Sequence, residues 1–165
     1  MVYLRQNGFP SPLLDWTRSP YIAAYFAFRD VGTHAGHPEY VAIYSCGTVE
    51  HDDIECEFSD VDGPSVQSIG PCLATDKKHH LQQCEYTLCA RRERDDYHFA
   101  EYPDEISRLD TRPCVFEKHI IPFGEQEEVL RRLQLMNITA FSLFGTEAAL
   151  MESLAVRELF LRGRD

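Results

Sequence analysis

The sequence predicts an α+β fold in which short mixed or antiparallel strands pack with about three to four helices. Three observations predict it. β-Branched and aromatic residues dominate Glu39–Cys46 and alternate with polar ones in Val115–Pro122, which is typical of strands. Strong helix-start signals at Ser19 and Thr146 precede apolar residues at helical spacing. The predicted strands and helices do not alternate regularly, as they would in a parallel α/β protein.

The first long helix is predicted directly after extended backbone, which Pro10 and Pro12 favour in "SPLLDWT". Ser19 suits the N-cap and Pro20 the first helical position, and the helix should end before Gly32. Its predicted buried face consists of apolar residues at helical spacing: Ile22, Ala23, Phe26 and Ala27.

The middle of the chain gives weaker signals. Glu39–Cys46 has the composition of a central strand. Residues 47–78 carry many acids and Gly-Pro breaks, so we expect mostly loop with a short helix. A strand follows around Glu85–Ala90, and the charged residues 91–106 are predicted to form a surface loop.

The last third is predicted to be mainly helical. An amphipathic helix opens at Gly124, with acids in its first turn and arginines later, as the helix dipole prefers. The apolar run Ile138–Phe144 fits a short strand or an apolar connection. Thr146 should cap a final helix, and its inward-facing residues are predicted to be Leu150, Leu154 and Leu159.

Length, charge and cysteine usage limit the classes of function. A chain of 165 residues is most simply one domain. Its net charge of −11 argues against binding nucleic acid backbones, although a local arginine can still hold a small anion. Six scattered cysteines without a CxxC pair favour reduced thiols in the cytoplasm over a disulfide framework or zinc site. No apolar run is long enough to cross a membrane, and no spaced set of metal ligands is apparent.

Two polar and aromatic clusters are candidates for a site. In the first, Asp15, Trp16 and Thr17 precede the helix, where they fit local caps and core packing as well as a ligand pocket. In the second, the amides of Gln82 and Gln83 precede a strand and could hydrogen-bond a ribose or an amide, or lie in an exposed loop. The residues alone leave both alternatives open.

The stretch "RQNGFPSPLLDWTRSPYIAAYFAF" resembles the central signature of the FRG domain family, "QHxGxPTRLLDWTxxPxxALYFA". The family is named for a Phe-Arg-Gly motif near its beginning. "QQCEYT" at Gln82–Thr87 and "ALMESLAVREL" near the end are also similar to family segments. The positions in register with the central signature include Gly8, Pro10, Leu13, Leu14, Asp15, Trp16, Thr17, Pro20, Phe26 and Ala27.

The chain departs from the family pattern at two places. The Phe-Arg-Gly segment is missing, so we expect residues 1–165 to be a single FRG-like domain that lacks its upstream segment. The family's Thr-Arg before the leucine pair is Ser11-Pro12. Losing an arginine removes a bidentate anion donor that proline cannot replace.

The order of the family's motifs is similar to that of ADP-ribosyltransferases. This resemblance implies a split α+β sandwich with NAD as substrate in a cleft. It assigns catalytic roles to Thr17, Gln83 and Glu85, and ligand contacts to Asp15, Trp16, Tyr25 and Gln82. No metal is implied.

Three hypotheses follow from the resemblance and its departures. The missing arginines favour a module of a bacterial or phage-related system that binds a nucleotide-type ligand or a protein partner as a sensor. The alternative is an NAD-dependent ADP-ribosyltransferase or NAD glycohydrolase of the toxin or phage-defence kind. The third is a structural remnant without a pocket.

Overall fold

A computed structural model of the chain describes residues 2–6, 8–30, 38–48, 64–69, 77–93, 96–100, 102 and 114–162. The helices are α1 (Val2–Gln6), α2 (Pro20–Phe28), α3 (Lys77–Leu81), α4 (Gln126–Leu135), α5 (Ala140–Phe144) and α6 (Glu147–Ala155). The strands are β1 (Leu13–Thr17), β2 (Tyr40–Thr48), β3 (Pro64–Ile69), β4 (Cys84–Glu93), β5 (Asp96–Phe99) and β6 (Cys114–Pro122). A 3-10 turn, Phe123–Glu125, precedes α4, and a π-helical turn, Val156–Leu161, continues α6. The α+β class is confirmed.

The described strands form two small sheets. Four strands make the larger one, in which the order is β1-β4-β3 and β5 also pairs with β4. β4 is antiparallel to both β3 and β5, with Tyr86 opposite Ile69 and Ala90 opposite Phe99. Among the described strands, β2 pairs only with β6, in a two-stranded sheet. Glu39–Cys46 was correctly predicted to be a strand, but its predicted central position in a sheet was wrong.

Two of the strands lie where loops were predicted. β3 falls within residues 47–78, most of which lie outside the described residues, and β5 falls within the charged residues 91–106. All four residues of β5 are exposed, so no buried face marks this strand in the sequence. Backbone pairing with β4 supplies the hydrogen bonds that define both strands. The loop predictions were therefore wrong at these two segments.

The chain divides into two compact units. The first comprises Met1–Trp16, Tyr44–Thr75 and Cys84–Lys118, and the second Thr17–Ile43, Asp76–Gln83 and His119–Asp165. The first has a small core that consists of Val2, Leu13, Cys84 and Tyr86, with Leu88 packed against it. The second, here called the helical unit, has the larger core. Its buried members are Ile22, Tyr25, Phe28, Leu130, Leu133, Ala140, Leu143, Ala149 and Leu161. The single domain expected for residues 1–165 stays a prediction.

Helix α2 begins as predicted but buries a different face. The Ser19 hydroxyl accepts a hydrogen bond from the backbone N–H of Ile22, and Pro20 is the first helical residue. The buried residues are Ile22, Tyr25 and Phe28, whereas Phe26 is 40% exposed. The predicted face was wrong at Phe26 because the helix packs on α4 through the neighbouring i, i+3, i+6 row.

The end of the chain also differs from the expectation. Ile138–Phe144 contains helix α5 rather than a strand, because Thr139 caps it through reciprocal bonds with Ser142. Thr146 caps α6, as predicted. Leu159 is 79% exposed instead of inward-facing, because the π-helical turn shifts the faces of the helix and places Leu161 in the core. No helix in the described part of the chain is both long and apolar enough to cross a membrane.

Candidate functional site

The structure brings Thr17 next to Gln82 and Gln83, 65 positions further along the chain. The Thr17 hydroxyl donates to the carbonyl of Gln82 over 2.7 Å. The next backbone N–H, of Arg18, donates to the carbonyl of Gln83 over 3.1 Å. These bonds tie the β1–α2 junction to the two-residue turn after α3. We call Thr17, Gln82 and Gln83 the polar turn, and all three belong to the helical unit.

Two of the three side chains of the polar turn are engaged within the protein. The Thr17 hydroxyl also accepts from the backbone N–H of Ser19 over 3.2 Å. Gln82 is buried, and its amide donates to the carbonyl of Leu143 on α5 over 3.2 Å. Gln83, in contrast, is exposed. The side chain that the polar turn offers to a ligand is therefore the amide of Gln83.

The backbone of Gln83 has a left-handed conformation, with φ of 49°. Its N–H donates to the carbonyl of His80 over 3.2 Å, and its carbonyl accepts from Arg18. A left-handed non-glycine residue costs about 1–2 kcal/mol, so these bonds hold the residue where it would not lie by itself. Such strain is concentrated at functional sites in proteins. The polar turn has this feature together with an exposed polar side chain.

Asp15, Trp16 and Glu85, the other predicted site residues on β1 and β4, belong to the first unit. Asp15 is exposed and accepts a bond from the Nε of Arg5 over 2.9 Å. Glu85 is half-buried. Asp15 and Arg5 form a surface ion pair, which contributes little to stability.

Trp16 is half-buried in the first unit and bound through its indole nitrogen. Its N–H donates to the hydroxyl of Thr87 on β4 over 2.8 Å. The same hydroxyl lies 2.8 Å from the Tyr102 hydroxyl. Burial raises the pKa of Tyr102, although the bond to Thr87 opposes this shift. Trp16 thus anchors β1 to β4 by a polar bond as well as by packing.

Tyr25, predicted to contact a ligand, lies in the core of the helical unit and is 5% exposed. Its hydroxyl donates to Glu152 over 3.0 Å, and the Nη2 of Arg29 donates to both oxygens of the same carboxylate at 3.1 Å. The Arg29 guanidinium also lies 5.0 Å from the ring centroid of Phe144. Burial, followed by the charge of Glu152, strongly raises the pKa of Tyr25. We call Tyr25, Arg29 and Glu152 the enclosed cluster.

The enclosed cluster leaves little space for a ligand. The cavity that its residues line with α4 and α5 has a volume of about 20 Å³. That volume suits a single water molecule. Arg29 and Glu152 were not recognised in the sequence, because they lie 123 positions apart and no local pattern relates them.

A larger cavity, also not foreseen, lies in the helical unit where α4 meets the end of the chain. Its volume is about 470 Å³. Three arginines are among its lining residues: Arg131, Gln134, Leu135, Arg157, Glu158, Leu161 and Arg162. The spacing of Glu158 and Arg162 at i, i+4 was a visible signal, but Arg131 comes from a distant helix. We call this cavity the arginine groove.

The described residues include Cys46, Cys84 and Cys89 and no candidate metal centre. Cys84 and Cys89 are buried in β4, Cys46 is exposed, and burial raises the pKa of the Cys89 thiol. A buried thiol with a raised pKa is a poor nucleophile. Within the part of the chain that the structure describes, no three His, Cys, Asp or Glu residues are grouped to hold a metal ion.

Residues 1–35 match the model of the FRG domain family. The match covers the "LLDWT" segment and α2, and confirms the resemblance for this part of the chain. It does not include Gln82, Gln83 or Glu85, whose roles stay predictions. No curated protein and no solved structure matches the chain.

Proposed function

We propose that this chain, whose residues 1–35 match the FRG domain family, is a sensor module that binds a nucleotide-type ligand without turning it over. The observation that carries the proposal is the polar turn. Two distant segments are tied together there, and the exposed amide of Gln83 is held on a left-handed backbone. A neutral donor and acceptor on a backbone held in place in this way is suited to recognition.

The chemistry of the polar turn fits the neutral parts of a nucleotide. A glutamine amide donates two hydrogen bonds and accepts others, so it can pair with the hydroxyls of a ribose or with a carboxamide. NAD contains both groups. The bonds of Thr17 and Gln82 hold the backbone of the turn, so only the side chain of Gln83 has to become ordered when a ligand binds.

Binding is favoured over catalysis because the polar turn contains a hydroxyl and two amides. Cleaving the bond between nicotinamide and ribose builds positive charge on the sugar, which a carboxylate stabilises in glycosyl transfer. The groups of Thr17 and Gln82 are already engaged in internal bonds. The alternative, an NAD-dependent ADP-ribosyltransferase or glycohydrolase, needs a carboxylate such as that of Glu85.

Isothermal titration of NAD and ADP-ribose into the full chain tests the proposal. Gln83→Gly removes the amide while glycine keeps the left-handed backbone, and Gln83→Asn keeps a shorter amide. We expect the glycine variant to bind about five- to tenfold more weakly, the effect of one hydrogen bond, and the asparagine variant to bind with intermediate affinity. The proposal would be contradicted if the wild type bound neither NAD nor ADP-ribose. It would also be contradicted if the Gln83→Gly variant bound them as tightly as the wild type does.

Nicotinamide release from NAD in the same samples separates the sensor from the enzyme. We expect none above the background of buffer alone. Release that Glu85→Gln abolishes, while binding persists, would establish the glycohydrolase alternative. This variant keeps the size of the side chain and removes only its charge.

We further propose that the module acts in the cytoplasm, in a bacterial or phage-related toxin or defence system with a protein partner. The cysteine pattern supports a reducing compartment, because the chain's six cysteines, which include Cys46, Cys84 and Cys89, form no CxxC pair. Quantitative alkylation of the denatured protein, taken from cells without reductant, should label these three cysteines. Protection of any of them until a reductant is added would contradict the location.

A further inference from the structure

The arginine groove has the size and side chains of a binding site. Its volume of about 470 Å³ is within the range of cavities that hold small molecules. One wall is α4, with Arg131 and Leu135, and the other is the chain end, with Arg157 and Arg162. None of its lining residues belongs to the polar turn, so the two can be tested separately.

The arginines of the groove are oriented by bonds that leave most of their donors unused. Glu158 accepts from Arg157 Nε over 2.7 Å with one oxygen and from Arg162 Nη1 over 2.6 Å with the other. Each guanidinium carries five N–H donors, so the single bond described for each engages a small part of its capacity. Glu158 and Glu127, the partner of Arg131, supply two carboxylates for the three guanidinium groups, so one positive charge remains in surplus.

Arg131 is fixed on the opposite wall. Its Nη2 donates to the carbonyl of Leu161 over 3.2 Å and to Glu127, one turn earlier on α4, over 3.0 Å. Bonds to a backbone carbonyl and to a carboxylate limit the rotamers of a long side chain. Less conformational entropy is therefore lost when such a guanidinium binds an anion.

Apolar surface lies beside these charges. Leu135 lines the groove and is 85% exposed, whereas Leu161 lines it from the core. A ligand with an anionic end and a flat apolar part can satisfy both features. Guanidinium groups bind carboxylates and phosphates in bidentate geometry, and a phosphate monoester offers three oxygens and more than one charge to the three arginines, which favours it as the anionic end.

We propose that the arginine groove binds a small soluble phosphate monoester whose organic part is apolar or aromatic. Its phosphate lies among Arg131, Arg157 and Arg162, and its organic part contacts Leu135. The chain's net charge of −11 disfavours a polyanion, because it repels an extended phosphate backbone. The same repulsion acts against a lipid surface that carries many anionic headgroups.

Titration of the full chain with phenyl phosphate, followed by NMR or calorimetry, tests this site. The double variant Arg157→Gln with Arg162→Gln removes two donors whose side chains are 53% and 74% exposed, so the fold should persist. We expect its affinity to fall at least about tenfold, since hydrogen bonds from charged donors are the strong ones. Inorganic phosphate should bind more weakly than phenyl phosphate, and Leu135→Ala should reduce that difference.

The matched control is Arg132→Gln. Arg132 lies on the same helix, is 72% exposed and pairs with Glu128, but it does not line the groove. The affinity of the Arg132→Gln variant for phenyl phosphate should stay within about twofold of the wild-type affinity, because long-range charge effects are screened by salt. An equal loss in Arg132→Gln and in the double variant, or no binding to the wild type, would overturn the proposal. Binding to phosphatidic acid vesicles without binding to phenyl phosphate would overturn it as well.

Discussion

The enclosed cluster and the arginine groove use similar groups for opposite purposes. In the enclosed cluster, one guanidinium contacts one carboxylate through two bonds, and a tyrosine hydroxyl and an aromatic ring cover them. In the arginine groove, three guanidinium groups share a cavity with one carboxylate. The first leaves about 20 Å³ of space and the second about 470 Å³. The guanidinium of the enclosed cluster is satisfied within the protein, whereas those of the arginine groove keep unused donors beside an open cavity.

The largest effect that separates the two regions is expected from Glu152→Ala. Without this carboxylate, the Arg29 guanidinium and the Tyr25 hydroxyl lose their partner inside the helical unit. We expect the free energy of unfolding to fall by about 3 kcal/mol. This value is near the lower end of the losses seen when a buried ion pair is broken, because both charged side chains are about one-third exposed. Urea denaturation followed by circular dichroism measures this loss. A change smaller than that of a typical surface substitution would show that the cluster does not stabilise the fold.

A smaller effect is expected from Tyr25→Phe, which deletes only the hydroxyl. The free energy of unfolding should fall by about 1.5–2 kcal/mol, at the lower end for a bond to a charged partner, because Glu152 keeps its bonds to Arg29. The difference from the wild type should also depend on pH. The pKa of Tyr25 is raised, so its stabilisation is fully present below about pH 10 and is lost as the pH rises through the folded-state value. Denaturation of both proteins between pH 7 and 11 tests this, and a constant difference would contradict it.

The smallest effect concerns Glu158 in the arginine groove. Bonds from Arg162 and then from Arg157 lower the pKa of its carboxyl. The group should therefore stay ionised below the ordinary glutamate range, and its interaction should be lost only as the pH falls through the lowered value. NMR titration of the side-chain carboxyl measures this pKa. Arg162→Gln should move it back towards the ordinary value, and an unchanged value would mean that the bond does not persist in solution.

Local signals in the sequence predicted the parts of the fold that depend on neighbouring residues. Ser19 and Thr146 cap helices as expected, because a cap needs only the next three residues. Helix α5 was missed although Thr139 and Ser142 have the spacing of a capping box, because a short apolar run fits a strand equally well. β5 was missed because its pairing with β4, rather than its own composition, makes it a strand.

The candidate sites were predictable to a different extent. Thr17 and Gln82 were chosen from motifs, and the structure joins them by a hydrogen bond between segments 65 positions apart. The sequence did not indicate that Gln82 is buried and bound to α5, since that depends on packing between distant helices. The arginine groove was missed for the same reason, because no local pattern relates Arg131 to Arg157.

The central contrast is tested most directly by measuring stability and phenyl phosphate affinity on two single variants, Arg29→Gln and Arg162→Gln. We expect Arg29→Gln to lose about 2 kcal/mol of unfolding free energy, because Glu152 is left without its cation, and to keep its affinity below the unfolding transition. Arg162→Gln should keep the wild-type stability and bind phenyl phosphate several-fold more weakly. The opposite pattern, in which Arg162→Gln unfolds more easily and binds normally, would contradict the account.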